Sequence, residues 1–184
     1  MRKLIIIWLC IVGSAIYSQQ LKLGGTVNFS VSGSSIDFLF GQGMRLEYDF
    51  QSLPISVGGN TNFYIGEVKG SFRRAALGAS MHYFPIRAFM EPYLGAGFSY
   101  NFNNRETGNG YPILKETENN LTVELLFGVN LTPKDKICII NEISYEVNQP
   151  RYSTYHYENN EQVTTRQKLD LNTLLWKFGL MVKL

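Results

Sequence analysis

Acidic and basic side chains recur at alternate positions in several short segments of this 184-residue sequence. Glu142 and Glu146 share one such segment, and Glu124 lies in another. Two carboxyl groups that meet in a cleft could act as general acid and general base. Ion pairing with alternating cations would explain the same residues without catalysis. The candidates for a charge network of this kind are Arg45, Glu47, Asp49, Glu124, Glu142, Glu146, Lys177 and Lys183.

No motif for a metal ion or a bound phosphate is present in the sequence. The cysteines and histidines lack the spacing of a zinc site. The pairs Gly41/Gly43 and Gly95/Gly97 lie inside strand-like segments, so they are not phosphate-binding loops. We therefore expect no catalytic residues, no metal and no cofactor.

The elements that must position the charged residues are β-strands. Apolar and polar residues alternate with a period of two, as expected for strands with two different faces. In the sharpest case, residues 40–50, apolar Met44 and Leu46 flank Arg45. The predicted strands are residues 20–30, 40–50, 54–66, 73–84, 92–103, 121–131, 137–147 and 173–184.

The predicted connections differ in length. The short ones are residues 51–53, 85–91 and 132–135, and the longer polar ones are 31–39, 67–72, 104–119 and 148–167. Short turns at one end and long loops at the other are typical of up-and-down outer-membrane barrels. An even number of strands places both chain termini at the short-turn end, which would be periplasmic.

Alternation alone also fits a soluble barrel with an apolar interior. Six apolar side chains on one face of a strand would overfill the interior of an eight-stranded barrel. Aromatic residues also gather near the strand ends, where membrane girdles lie. The sequence therefore favours a monomeric, eight-stranded antiparallel up-and-down transmembrane β-barrel with lipid outside and the charged residues in its lumen.

Charged side chains in a narrow lumen must be paired, because burying a lone charge is costly. We expect a salt-bridge network that fills the lumen, with small residues such as Gly95, Gly97, Ser99 and Gly128 making room for longer ones. A conducting or gated pore is the alternative.

The first 18 residues predict a secretory signal peptide. Arg2 and Lys3 precede an apolar run at residues 4–12, and small residues follow. Cleavage is expected after Ser18, with Ala15 as the alternative site. Residues 19–184 then form one domain. Without Arg2 and Lys3 the 17 basic residues fall to 15, equal to the 15 acidic ones. No basic excess remains to indicate nucleic-acid binding.

Two strand segments carry a family resemblance. Residues 92–100 (PYLGAGFSY) and 175–184 (LWKFGLMVKL), together with the signal peptide, resemble the small outer-membrane β-barrel superfamily. That group includes the OmpA transmembrane domain and OmpX-like and OmpW-like proteins. The Ser-Gln-Gln at the signal's end resembles exported proteins of the Bacteroidota. Such barrels commonly end in Phe, whereas this sequence ends in Leu184.

This resemblance implies an integral protein of a Gram-negative outer membrane, surrounded by lipid and lipopolysaccharide and inserted by the barrel-assembly machinery. It implies a non-enzymatic role, contributing to the membrane or displaying surface loops. A narrow, OmpW-like channel for small apolar solutes and a lipid A-modifying enzyme are the alternatives. A barrel deacylase has a His two residues before its Ser, a spacing that neither His82 nor His156 shows. His82 is predicted to be a lumen residue near the periplasmic end.

The polar stretch at residues 148–167 contains residue types that dominate binding hot spots, Tyr and Arg. Its candidate residues for binding an extracellular protein or ligand are Arg151, Tyr152, Tyr155, His156, Tyr157 and Arg166. The alternative is that they only lie among lipopolysaccharide phosphates.

Overall fold

The chain forms β-strands throughout the part that the computed structural model describes. The described residues are 19–33, 38–50, 53–67, 71–106, 114–134, 136–158 and 161–184, so the predicted signal peptide lies outside them. Within these ranges no helix is long and apolar enough to cross a membrane.

Eleven strands are present among the described residues. They are β1 (Gln19–Gly33), β2 (Phe38–Phe50), β3 (Ile55–Glu67), β4 (Ser71–Tyr83), β5 (Met90–Glu106), β6 (Leu114–Thr117), β7 (Asn120–Lys134), β8 (Ile137–Val147), β9 (Arg151–Glu158), β10 (Glu161–Lys168) and β11 (Thr173–Lys183).

Eight of the strands close into a barrel in the order β1-β11-β8-β7-β5-β4-β3-β2. Each strand runs antiparallel to both neighbours, and β1 pairs with both β2 and β11 to complete the ring. The predicted eight-stranded antiparallel barrel is therefore confirmed. Leu184 N donates to Leu21 O over 2.8 Å, so both ends of the described chain meet at one end of the barrel, here called the terminus end. The opposite end is called the rim.

The barrel strands extend further toward the rim than the sequence predicted. Residues 31–39 and 67–72 were predicted as longer connections, but strands continue into both and leave only 34–37 and 68–70 between them. The extended parts stay paired with neighbouring strands, β1 with β11, β2 with β3 and β3 with β4. This pairing satisfies backbone groups that a loop would leave to solvent.

The two long connections at the rim were predicted as loops, which is wrong for much of their length. β6, β9 and β10 form a separate three-stranded sheet in the order β10-β9-β6, here called the rim sheet. Its strands are short and its sequence is polar, so no apolar alternation indicated it. Tyr and Thr nevertheless favour strands, and β9 and β10 pair along their whole length.

The two faces of the barrel wall differ sharply. Outward apolar side chains are well exposed, among them Leu121 (69%), Leu125 (63%) and Phe98 (62%). Inward side chains are largely buried, including Glu47 and His82, both 0% exposed. The packed interior is thus the polar face, which is the reverse of a soluble barrel with an apolar core.

Inward glycines make space for large side chains in the lumen. A Cβ on Gly128 would lie 2.5 Å from the hydroxyl oxygen of Tyr93, and a Cβ on Gly41 would lie 2.4 Å from the ring of Tyr64. Both tyrosines are almost fully buried. Each ring can therefore lie over its neighbouring strand, because the register partner there is a glycine without a side chain.

Candidate functional site: the charged lumen and the rim sheet

Ion pairs begin at the terminus end of the lumen. Arg87, in the turn between β4 and β5, lies 2.6 Å from Asp49 on β2. Lys22 on β1 lies 3.0 Å from Asp49 and 3.4 Å from Glu47. Lys22 and Glu47 are essentially inaccessible to solvent, so the two charges depend on these contacts.

The ion pairs continue across the middle of the lumen. Arg45 lies 2.7 Å from Glu47 on its own strand and 3.0 Å from Glu142 on β8. Lys177 on β11 lies 3.3 Å from Glu142 and also contacts Glu124 on β7.

These contacts join eight residues into one series of alternating sign, here called the lumen ion chain. In order, its members are Arg87, Asp49, Lys22, Glu47, Arg45, Glu142, Lys177 and Glu124. Four cations alternate with four anions, so the series is formally neutral. Every member has a neighbour of opposite charge, which offsets the cost of removing it from water.

A separate ion pair lies nearer the rim. Arg74 on β4 lies 2.7 Å from Glu146 on β8. The Tyr64 hydroxyl donates to Glu146 over 3.4 Å, and the Arg74 guanidinium stacks 4.0 Å from the centre of the Tyr64 ring. Glu146 therefore has a cation and a neutral donor, and Arg74 is held between a carboxylate and a ring face.

The structure places seven of the eight charged residues predicted for the lumen in ion pairs there. The exception is Lys183, which is partly exposed and forms no ion pair with any described residue. Lys22, Arg74 and Arg87 were not among the predicted members. Strand alternation could have identified Lys22 and Arg74, whereas Arg87 lies in a turn, where alternation gives no direction.

His82 lies among residues that resemble a hydrolytic triad in composition. Ser56 Oγ is 3.1 Å from His82 Nδ1, and Glu47 Oε2 is 3.6 Å from the same nitrogen. A Ser-His-acid triad needs the serine and the acid on opposite imidazole nitrogens, with the serine facing a substrate. Arg45 Nη2 instead lies 2.9 Å from Nε2, and Ser56, Glu47 and His82 are all 0% exposed. The arrangement holds His82 in the packed lumen.

Little free space remains among the ion pairs in the middle of the lumen. A cavity beside Arg45, Glu124 and Lys177 offers about 20 Å³ to the centre of a water molecule, which is room for roughly one water. Two clusters of buried apolar residues also lie inside the barrel. Leu39, Tyr64, Ala76, Leu171 and Leu175 lie toward the rim, and Cys138, Ile140 and Met181 lie toward the terminus end.

No metal centre is found in the described ranges, because no three His, Cys, Asp or Glu side chains there converge on one point. The lumen carboxylates face cations instead.

The predicted binding residues of the 148–167 stretch lie in the rim sheet. Arg151 and Arg166 are exposed. The side chains of the other four lie outside the described part of the structure. Their backbones belong to β9, where Tyr152 pairs with Gln167, Tyr155 with Thr164, His156 with Val163 and Tyr157 with Gln162.

Comparison with known proteins gives matches by structure alone. A scan against protein-family models finds no match, and neither does a search of curated proteins. Neisserial surface protein A superposes with a TM-score of 0.61 at 17% identity, over 91% of this chain and 97% of that one. A major outer membrane protein of Thermus thermophilus gives 0.58 at 10% identity, over 91% and 100%. Outer membrane protein AlkL, solved in DMPC bilayers, gives 0.58 at 10% identity, over 91% and 90%.

The chain has the fold of the small outer-membrane β-barrels. Each of these barrels aligns over nine-tenths or more of its own length. At identities of 10–17%, the likeness concerns the fold.

Proposed function

We propose that this protein is an integral, non-enzymatic outer-membrane barrel with a closed lumen, which anchors the rim sheet at the cell surface. The observation that carries the proposal is the reversal of the two faces of the wall. Apolar side chains such as Leu125 and Phe98 face out, whereas ion pairs fill the interior. An outward apolar band fits lipid, where a closed barrel leaves no backbone group unpaired.

The filled lumen supports a closed barrel over a channel for small apolar solutes. A solute that crossed the lumen would have to pass the buried ion pairs and part Arg45 from Glu142. Separating this pair would leave buried charges without partners, which is costly.

The surroundings of His82 favour a non-enzymatic role over lipid A modification. A lipid-modifying site must admit its substrate from the membrane or from the barrel mouth. His82 is fully buried against Arg45 and Ser56, and the cavity that it lines has about 20 Å³, which is room for roughly one water and not for a lipid chain.

Export and location form part of the proposal. We infer that residues 1–18 direct export and are removed, because a charged start, an apolar run and small residues precede Gln19. Mass spectrometry of the protein extracted from outer membranes should then give a chain that begins at Gln19.

Reconstitution tests both membrane insertion and closure. The purified protein, refolded into lipid vesicles, should migrate faster on gels when unheated than when boiled. In planar bilayers it should add no stepwise current, and lipid A incubated with it should keep its mass. Recovery as a soluble protein without detergent would contradict the membrane assignment. Regular current steps would contradict the closed lumen, and a mass change in lipid A would contradict the non-enzymatic role.

A further inference from the structure

One outward residue of β8 places an amide in the apolar band of the barrel wall. Asn141 is exposed and lies between Ile139 and Ile143, which face out on the same strand. Its register partners are Phe178 on β11 and Val129 on β7, which also face out. Apolar side chains therefore surround the Asn141 amide on all four sides.

The Asn141 amide lies deep within this band. Asn141 is four residues from Ile137, where β8 begins at the terminus end, which is about 14 Å along the strand. Because barrel strands are tilted by about 35–45°, the height above that end is roughly 10 Å, in an apolar band about 25 Å tall. The short side chain of an asparagine cannot reach the headgroups from this depth, as a long one could.

Trp176 on β11 fixes the orientation of the amide. Trp176 Nε1 donates to Asn141 Oδ1 over 2.7 Å. An indole N–H can only donate, so the oxygen of the amide must face the indole. That oxygen keeps one free lone pair, and the two N–H groups of Asn141 Nδ2 have no acceptor among the described residues. Acyl chains offer no acceptor either, and an unpaired amide in an apolar medium is costly.

The free positions of this amide are complementary to those of a second Asn141. When two copies are related by a twofold axis along the membrane normal, the same patch of each copy meets itself. Each Asn141 Nδ2 can then donate to Oδ1 of the partner's Asn141, because one lone pair remains there beside the Trp176 bond. The same axis sets the β11 flank of one copy, with the Phe178 ring, against the β7 flank of the other, with the smaller Val129.

A second outward amide, Gln42 on β2, provides the comparison. Gln42 is exposed, and its register partners Val27 and Phe63 are apolar. It is eight residues from Phe50, the terminus end of β2, so it lies about 20 Å above that end and near the outer edge of the band. Its longer side chain can reach the headgroups there. Gln42 therefore needs no protein partner, whereas Asn141 does.

We propose that two copies of this protein associate in the membrane through the β8 face of the wall, with Asn141 of each copy hydrogen-bonded to the partner's Asn141. The sequence predicted a monomer, and the proposal departs from that prediction. It rests on the membrane location proposed above, since only an apolar surrounding deprives the amide of water.

Förster transfer between donor-labelled and acceptor-labelled copies in phosphatidylcholine vesicles tests the association. The dyes are attached after folding to a cysteine that replaces the exposed Lys136, while Cys138 is fully buried and out of reach. Asn141→Leu should raise the dissociation constant of the pair at least about tenfold, because both interchain hydrogen bonds are lost. The matched control Gln42→Leu also removes an outward amide and should stay within about twofold of the wild type.

Crosslinking in native outer membranes identifies the partner. A photoreactive benzoylphenylalanine in place of Phe178 should give an adduct with twice the mass of one chain. The same residue in place of Phe63, which faces out from β3 on the opposite side of the barrel, should not. Adducts only with another protein, or only with lipid, would overturn the assignment of a second copy.

Three results of the transfer measurement would also overturn the proposal. They are transfer by the wild type at the level of random mixing, association of Asn141→Leu equal to that of the wild type, and equal weakening by Gln42→Leu. Heat-modifiable migration separates this proposal from the proposed function. A wild type that inserts but stays monomeric contradicts only the pairing, whereas failure to insert contradicts the membrane assignment itself.

Discussion

Arg45 on β2 and Glu142 on β8 form an ion pair of 3.0 Å that crosses the lumen, with β1 and β11 between their strands around the wall. Among the described residues, this is the one contact that joins the two parts of the lumen ion chain. The part on the β1 and β2 side, with Arg87, carries one excess positive charge, and the part on β7, β8 and β11 carries one excess negative charge. The Arg45–Glu142 pair therefore joins a positive part to a negative part, and the eight-residue series is neutral as a whole.

Replacing Arg45 with Leu should destabilise the barrel strongly. The change leaves Glu47 with Lys22 alone and Glu142 with Lys177 alone. Breaking a buried pair costs about 3–5 kcal/mol, and urea unfolding in vesicles would measure this loss. The exposed Arg166→Leu serves as the control and should stay within about 0.5 kcal/mol of the wild type. Equal losses for the two variants would contradict the interior ion chain.

The Glu124 end of the lumen ion chain allows the pairing order of Glu124, Lys177 and Glu142 to be tested. Glu124→Leu leaves Lys177 with Glu142, whereas Lys177→Leu leaves Glu124 with no cation. A buried carboxylate without a cation is the costlier defect. Lys177→Leu should therefore lower the free energy of unfolding by about 3–5 kcal/mol, and Glu124→Leu by clearly less. The reverse order in the same urea titration would show that the pairing is wrong.

Gly128 tests the fit of Tyr93 in the lumen. An alanine Cβ there would lie 2.5 Å from the Tyr93 hydroxyl oxygen, which donates to Glu142 over 2.6 Å. Gly128→Ala should cost about 1–3 kcal/mol through overpacking. Gly25→Ala is the control, since its new Cβ would come no closer than 3.6 Å to a neighbouring atom, the carbonyl oxygen of Gly43.

Removing the tyrosine ring supplies a second check on Gly128. The double variant Gly128→Ala/Tyr93→Leu should lose less unfolding free energy than the two single variants lose in sum, because the clash disappears with the ring. Strict additivity would mean that Gly128 and Tyr93 do not touch.

Surface labelling tests the orientation in the membrane. Tags inserted near Gly108 and Asn159, which both lie outside the described residues, should be labelled on intact cells. The long connections that contain them leave the rim, opposite the two termini. A tag near Lys134, at the terminus end, should be labelled only after the outer membrane is opened. Labelling of the Lys134 tag alone on intact cells would reverse the orientation.

The sequence predicted the barrel well because each wall strand has one face in the packed interior and one outside. Arg45 between Met44 and Leu46 is sufficient to orient β2, since shifting the strand by one residue would expose the charge to lipid. The position of each strand thus follows from its own residues. The ion-pair partners across the lumen cannot be predicted in this way, because Glu142 and Arg45 are 97 residues apart and only closure of the barrel brings them together.

The rim sheet was missed because its strands carry polar residues on both faces, so apolar and polar residues do not alternate along them. A signal was nevertheless present in the sequence. Two runs rich in Tyr, Thr and Val are separated by Asn159 and Asn160, a spacing common in β-hairpins. Arg87 was missed for a different reason, since a turn residue is directed by the local backbone path and not by strand alternation.

The alternating order of the lumen ion chain restricts how homologous sequences can diverge. Arg87 and Glu124 are the two ends of the series. If Arg87 is lost, Asp49 still contacts Lys22, and if Glu124 is lost, Lys177 still contacts Glu142. Loss of an internal member such as Lys22 weakens two carboxylates at once. Internal members should therefore be exchanged together with an adjacent residue of opposite sign. Lineages of this barrel would then show correlated replacements along the series, with independent drift confined to its ends.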